Sequence, residues 1–220
     1  LDTFAQLESA FAALGGAYRS RKEAAEKLVL DWQWGTWRWL DILPLYFERH
    51  GFAPGRRLKQ EPADRRNRVA CGLDGDGRVV VERQFNEFGC YETFYAWTPA
   101  SVEAAHFDYT PEKTPINLLH AKISNGRIVA SDTAASNGYS RDEYRWDGDL
   151  VREVRVQHAR REGGVLAPLR LWNTVRAFYN DDGMLQRVDL LWPASVVQRA
   201  DDLVEIMFER RGNKIYRNHP

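Results

Sequence analysis

The chain has very little cysteine and no long apolar run. Cys71 and Cys90 are its two thiols. Two thiols cannot frame a disulfide scaffold in a chain of 220 residues, so half-buried thiols in a reducing compartment are expected. No stretch approaches the roughly 18 consecutive apolar residues of a spanning helix, so no membrane crossing is expected. Leu1-Asp2-Thr3 lacks the basic region and apolar core of a signal peptide, and no initiator Met precedes it, as after processing or trimming. The cytoplasm is the expected location. An excess of one charge is missing too: Lys plus Arg and Asp plus Glu both number 31. No net field therefore draws the protein toward nucleic acid or membrane.

Catalytic and metal-binding patterns are equally scarce. His50, His106, His120, His158 and His219 show no metal-ligand spacing, and His106 and His158 fall in strand patterns that suit structural histidines. There is no Gly-x-Ser-x-Gly elbow, Walker A loop or dinucleotide fingerprint. Asp74-Gly75-Asp76-Gly77 opens like a calcium loop, but the closing Glu is missing and Val80 to Gln84 reads as strand. A hairpin turn explains it better. No cofactor, no metal and no enzymatic activity are expected.

What the chain does have is ordinary globular composition, 44% hydrophobic and 28% charged, with eight Trp. At its start, Leu7, Phe11, Leu14 and Tyr18 form a helical stripe, which Gly15-Gly16 should interrupt. Ser20 with Glu23 resembles a capping box opening a second helix through Ala24, Leu28 and Val29. Residues 31–40 then carry Trp32, Trp34, Trp37 and Trp39, which either seal helices onto a sheet or form a sticky surface. Residues 55–68 read as a basic linker. Arg56, Arg57, Lys59, Arg65, Arg66 and Arg68 face only Glu61 and Asp64 there, an excess of +4. That excess could meet phosphate or an acidic partner, though a solvated connection is the plainer reading, and without interleaved aromatics it does not suggest nucleic acid.

The dominant feature is an internal repeat. Gly77-Arg78-Val79-Val80, Gly89, Tyr95, Trp97 and Val102 recur 49 positions later as Gly126-Arg127-Ile128-Val129, Gly138, Tyr144, Trp146 and Val151. A third, partial copy starts at Asp182-Gly183 and runs to Trp192-Pro193. From Val69 onward the apolar period is 2, and Asn-Gly and Asp-Gly turns punctuate the runs every 10 to 12 residues. The expected fold is mainly β: an antiparallel β-meander of repeated hairpins with an N-terminal helical segment packed on it. The expected segmentation is 1–54 helical and Trp-rich, 55–68 linker, 69–210 meander and 211–220 tail.

The run Asp74…Gly77-Arg78-Val79…Glu82…Asn86…Gly89…Tyr95-Ala96-Trp97, with Tyr144-Arg145-Trp146-Asp147-Gly148-Asp149, resembles the YD repeat of Rhs and teneurin-type proteins. The aromatic-and-Gly rhythm is also similar to MORN-type repeats of small antitoxins. The resemblance spans about Leu73 to Trp192. It includes neither the autoprotease signature nor enough repeats for an encapsulating shell. It implies a stand-alone partner of a polymorphic toxin: an immunity protein that binds and neutralises a cognate protein toxin. An enzyme with scattered residues on a β scaffold and a glycan-binding module are the alternatives.

Tyr95, Trp97, Tyr144 and Trp146 are the candidate binding aromatics, as a ladder that is either core or docking strip, with Arg141 and Arg152 as candidate anchors. Pairs such as Glu92 with Arg141, or Arg152 with Glu153, read as cross-strand ion pairs.

Overall fold

A computed structural model of the chain describes residues 4–198, 201–212 and 214–218; His219 lies outside them. The apolar stripe winds as α1 (Phe4–Ala12) and a 3-10 turn (Ala13–Gly16) that ends on the glycine pair. Helix α2 (Tyr18–Glu26) begins before Ser20 rather than at it. The Ser20 hydroxyl donates to the Ala17 carbonyl at 3.0 Å, a local bond that replaces the expected cap. Leu28 and Val29 lie beyond the helix. The Trp-rich stretch opens as a strand, β1 (Asp31–Gly35), in which Trp32 and Trp34 alternate with Gln33.

From Val69 the period of 2 is realised strand after strand: β2 (Val69–Leu73), β3 (Val79–Phe85), β4 (Cys90–Trp97), β5 (Ser101–Phe107), β6 (Pro115–Ser124) and β7 (Arg127–Ala135). There follow β8 (Gly138–Asp147), β9 (Leu150–Glu162), β10 (Val165–Leu166), β11 (Arg170–Tyr179), β12 (Leu185–Trp192), β13 (Leu203–Arg211) and β14 (Lys214–Arg217). These 14 strands follow chain order in an open antiparallel sheet, except that β10 pairs only with β9. The fold is therefore the expected meander. The described part of the expected tail is a further edge strand, β14, paired with β13. No helix among the described residues is long and apolar enough to cross a membrane.

Contacts gather into two compact units, one of residues 1–40, 54–126 and 132–136, the other of 41–53, 127–131 and 137–220. In the first, Val81, Phe94, Ala105 and Leu118 stand opposite one another across four strands and are almost fully buried. Helices α1 and α2 cover this face, with the Tyr18 ring edge-on to Phe107 at 5.3 Å. On the other face Trp39 and Leu40 pack on Val69, Cys71 and Leu73. In the second unit Tyr144, Val154, Val175 and Leu190 form the equivalent buried row. The short helix α3 (Tyr46–Arg49) packs over β12 and β13. Residues 41–53, assigned to the N-terminal segment by sequence, thus pack with the second unit.

The repeat is structural as well as sequential. Trp97 donates its indole N–H to the Val79 carbonyl at 2.8 Å, and Trp146 donates to Ile128 at 2.9 Å, each partner 18 residues back. Arg78 stacks 6.0 Å from the Trp97 ring and Arg127 5.5 Å from Trp146. Gly77 and Gly126 take φ of 75° and 74° at the hairpin turns. Gly138 is needed for a different reason: an added Cβ would lie 2.2 Å from the Ala159 carbonyl oxygen, whereas at Gly126 it would meet nothing within 4 Å.

Gly126→Ala should therefore cost about 1 kcal/mol, the left-handed penalty alone. Gly138→Ala should cost at least about 3 kcal/mol, because backbone must shift as well. Urea unfolding of the two variants checks this, and equal losses would contradict the steric account.

Candidate functional site

The candidate aromatics divide between core and seam. Tyr95 and Tyr144 are only 5% and 7% exposed, inside the packed faces. Trp97 and Trp146 are half-buried, and their indole N–H groups are spent on backbone. Arg152 lies 5.2 Å from the Tyr179 ring and pairs with Asp147 at 3.1 Å rather than with Glu153. Tyr179 is held by a 3.0 Å bond from its hydroxyl to the Val151 carbonyl. Of the six candidates, Arg141 sits on an open sheet face, standing opposite Gln157.

Two polar clusters hold three of the buried charged side chains, Glu92, Arg49 and Asp142. In the first unit, Glu92 is 2% exposed. It accepts from the Tyr18 hydroxyl at 2.5 Å and from Arg83 Nε at 3.0 Å, with Lys113 at 3.3 Å and Lys22 at 3.9 Å. Burial alone would push its carboxyl up; the Tyr18 and Arg83 hydrogen bonds and the neighbouring cations more than offset that and hold it below the ordinary value of 4.5. Tyr18 is pushed up in turn, first by burial and then by Glu92. The reason for so much charge lies in α2, whose only buried residue is Ala25. It is fastened to the sheet through Tyr18, Lys22, a Glu26–Arg83 pair and an Arg21–Glu103 pair at 2.7 Å. The Thr93 hydroxyl, 2.8 Å from His106 Nδ1, belongs to the opposite face. Burial, then the charge of Arg38, lowers the His106 pKa to about 4, so the ring is neutral at pH 7.

In the second unit, Arg49 and Asp142 meet at 2.7 Å, both less than 10% exposed, and Tyr144 donates to the same carboxylate oxygen at 3.3 Å. Burial disfavours the Arg49 cation, yet Asp142 more than restores it. The pair pins the 41–53 segment on the strands, as Tyr18 and Glu92 pin α2. Among the described residues no group of three or more His, Cys, Asp or Glu is arranged to hold a metal ion.

The remaining feature is a sheet face with little cover. Strand register places Arg145, Glu153, Arg176, Asp189 and Ile206 in one row across β8, β9, β11, β12 and β13. The next row reads Glu143, Arg155, Thr174, Leu191 and Val204. A third, shorter row holds Phe178, Arg187, Glu209 and Tyr216. The face is charged on the β8 side and apolar on the β13 side. Phe178, Val204, Ile206 and Tyr216 are 44%, 53%, 38% and 47% exposed. Arg187 lies 5.8 Å from the Phe178 ring and grips Asp189 with two bonds of 2.5 and 2.8 Å. Arg176 meets Glu153 at 3.7 Å. A shallow recess of about 500 Å³ lies between Phe178, Arg187 and Glu209.

The apolar corner escapes a reading by alternation, which places Val204, Ile206 and Phe208 together. A register shift against Val188 and Asp189 lets Met207 and Phe208 both turn inward, at 2% and 3% exposure, and leaves Val204 and Ile206 outside. Phe178 carries a readable signal: it follows Arg176 at a spacing of two on the strand face opposite Val175 and Ala177.

Glu92→Gln should destabilise the protein by about 3 kcal/mol at pH 7, since it leaves buried cations facing a neutral amide. Because Glu92 is depressed in the folded state, its contribution is present above pH 4.5 and is lost as pH falls below that value. Wild type should thus lose stability below pH 4.5 more steeply than Glu92→Gln, as chemical denaturation at several pH values would reveal. For the second cluster, Arg49→Met alone should cost about 3–5 kcal/mol, and Arg49→Met with Asp142→Leu should recover most of that loss. Additive losses in this double-mutant cycle would show that the two residues act separately.

Comparison of the chain with protein-family models, with curated proteins and with solved structures gives no match in any of the three.

Proposed function

We propose that the protein is a protein-binding module, an immunity protein that neutralises a cognate polymorphic toxin through the open face of its second unit. The observation that carries this reading is the corner made by Phe178, Val204, Ile206 and Tyr216, exposed beside Arg176 and Arg187. Interface anchors are typically aromatic and arginine side chains around an apolar centre. Arg176 and Arg187 are already oriented by Glu153 and Asp189. A partner therefore meets guanidinium groups whose ordering cost is spent in folding. The toxin, as opposed to any other protein, is supported by the resemblance of the hairpin repeat to the YD repeats of toxin-bearing proteins. Tyr144 and Trp146 act in this reading as the scaffold of the face rather than as its contacts, Tyr95 and Trp97 belong to the framework of the first unit, and Arg141 lies on the rim of the face.

Co-expression with the products of neighbouring genes should give one stoichiometric partner that is toxic alone and tolerated together with this protein. Val204→Glu with Ile206→Glu should then weaken capture by at least roughly 30-fold, the scale of a hot-spot loss of about 2 kcal/mol. The melting temperature should move by only a few degrees, because both side chains are exposed. A partner held equally well by the double variant, with protection from toxicity intact, would take the open face out of the mechanism.

A further inference from the structure

The segment between Gly55 and Arg68 does not behave as a mobile connection. Thr36 N–H donates to the Arg56 carbonyl at 2.9 Å, Arg56 N–H returns a 2.9 Å bond to the Thr36 hydroxyl, and Leu58 N–H donates to Trp34 at 2.7 Å. Gly55 N–H donates to the Arg38 carbonyl at 2.7 Å, and Arg57 bridges to Gly35. Residues 55–58 are thus laid irregularly along the outer edge of β1 at its Gly35 end, where they satisfy backbone groups that an edge strand otherwise exposes. At the other end of the segment, Asn67 N–H donates to the Phe85 carbonyl at 3.0 Å and ties it to β3.

The charges of the segment are unequally used. Glu61 is taken by Arg65 and Asp64 by Arg66. Arg65 also lies over the stacked Trp34 and Phe85 rings, 5.3 and 5.8 Å from their centroids. Arg56, Arg57 and Lys59 have no carboxylate partner among the described residues; Arg68 donates to the Asn67 carbonyl and its charge helps to lower the Asp64 pKa. The positive excess of the sequence therefore survives folding chiefly on Arg56, Arg57 and Lys59. Trp37, 49% exposed, lies beside the start of this run. Its backbone approaches Gly55 so closely that a Cβ there would lie 2.3 Å from the Trp37 carbonyl oxygen. Elsewhere in this unit Arg21, Arg38, Arg78 and Arg83 pair with carboxylates.

We propose that this edge of the first unit is a docking surface for an acidic polypeptide segment, with Trp37 as its apolar anchor. Unpaired cations raise the local concentration of an anionic partner and speed its association, and a Trp beside them supplies the area that charge alone does not. An acidic polypeptide suits the site better than a nucleic acid, because one exposed Trp gives no run of stacking platforms for successive bases. The surface belongs to the first unit, and this inference does not depend on the function proposed for the open face of the second.

The test uses the whole chain and two labelled probes, poly-L-glutamate and a 20-nucleotide poly-dT, followed by fluorescence anisotropy at 50 and 200 mM NaCl. Wild type should bind poly-L-glutamate more tightly than poly-dT, with affinity falling as salt rises. Arg56→Gln with Arg57→Gln and Lys59→Gln should weaken that binding at least tenfold, and Trp37→Ala should weaken it severalfold at both salt concentrations. Arg160→Gln with Arg170→Gln, which removes two exposed cations of the other unit, should bind as wild type does. Thermal melts beside each titration separate loss of binding from loss of fold. The proposal is overturned if wild type does not bind poly-L-glutamate, if both neutralised variants lose affinity equally, or if poly-dT is the tighter ligand.

Discussion

Every backbone N–H and C=O of a buried strand must find a partner, and here the partner is nearly always the next strand in the chain. That constraint organises everything else. A sheet built from sequential hairpins has no crossover helices to cover its faces, so cover must come from outside the meander. In the first unit it comes from the helices and from Trp39 and Leu40; in the second it comes from residues 41–53. Where no cover is supplied, the face must be polar or be used for contact. The open rows of the second unit are both, charged at β8 and apolar at β13.

Two of these covers, α2 and residues 41–53, are attached by charge more than by apolar contact. Helix α2 brings one buried side chain, Ala25, to the sheet, yet brings Tyr18, Arg21, Lys22 and Glu26 to carboxylates and a guanidinium on it. Arg49 does the same for residues 41–53 through Asp142. Buried ion pairs add little net stability compared with apolar replacements, but breaking one is costly. Their effect here is positional. A greasy helix could slide along a flat apolar sheet, whereas Tyr18 on Glu92 and Arg49 on Asp142 each admit one placement.

Much of this architecture is legible in the sequence because hairpins are local. Asn-Gly and Asp-Gly turns, a period of 2 and the 49-residue recurrence specify strands and their order without long-range information. The Trp97–Val79 and Trp146–Ile128 bonds follow from the same spacing. Other features depend on pairing between distant residues. The strand character of residues 31–35 arises from pairing with β2, dozens of residues later. The partners of Glu92 include Tyr18, 74 positions away. The exposure of Val204 and Ile206 hangs on a one-residue register shift that no alternation pattern announces. Ser20 looked like a cap because the capping box is a local signal, yet α2 starts earlier. Residues 55–68 read as a linker because edge cover requires backbone bonds and no particular side chains.

Sequential pairing also decides how the chain would yield to force. Tension applied at Arg217 loads the open end of the β13–β14 ladder, where Arg217 faces Phe208, and leaves the turn at Gly212 unloaded. The ladder opens one rung at a time, and the released strand then passes the load to the far end of the next one. Hairpins pulled in this way unzip; they do not shear, so the interstrand bonds never bear load together. A meander can thus be fully bonded at rest and still come apart strand by strand, from its last hairpin inward, under a modest pull.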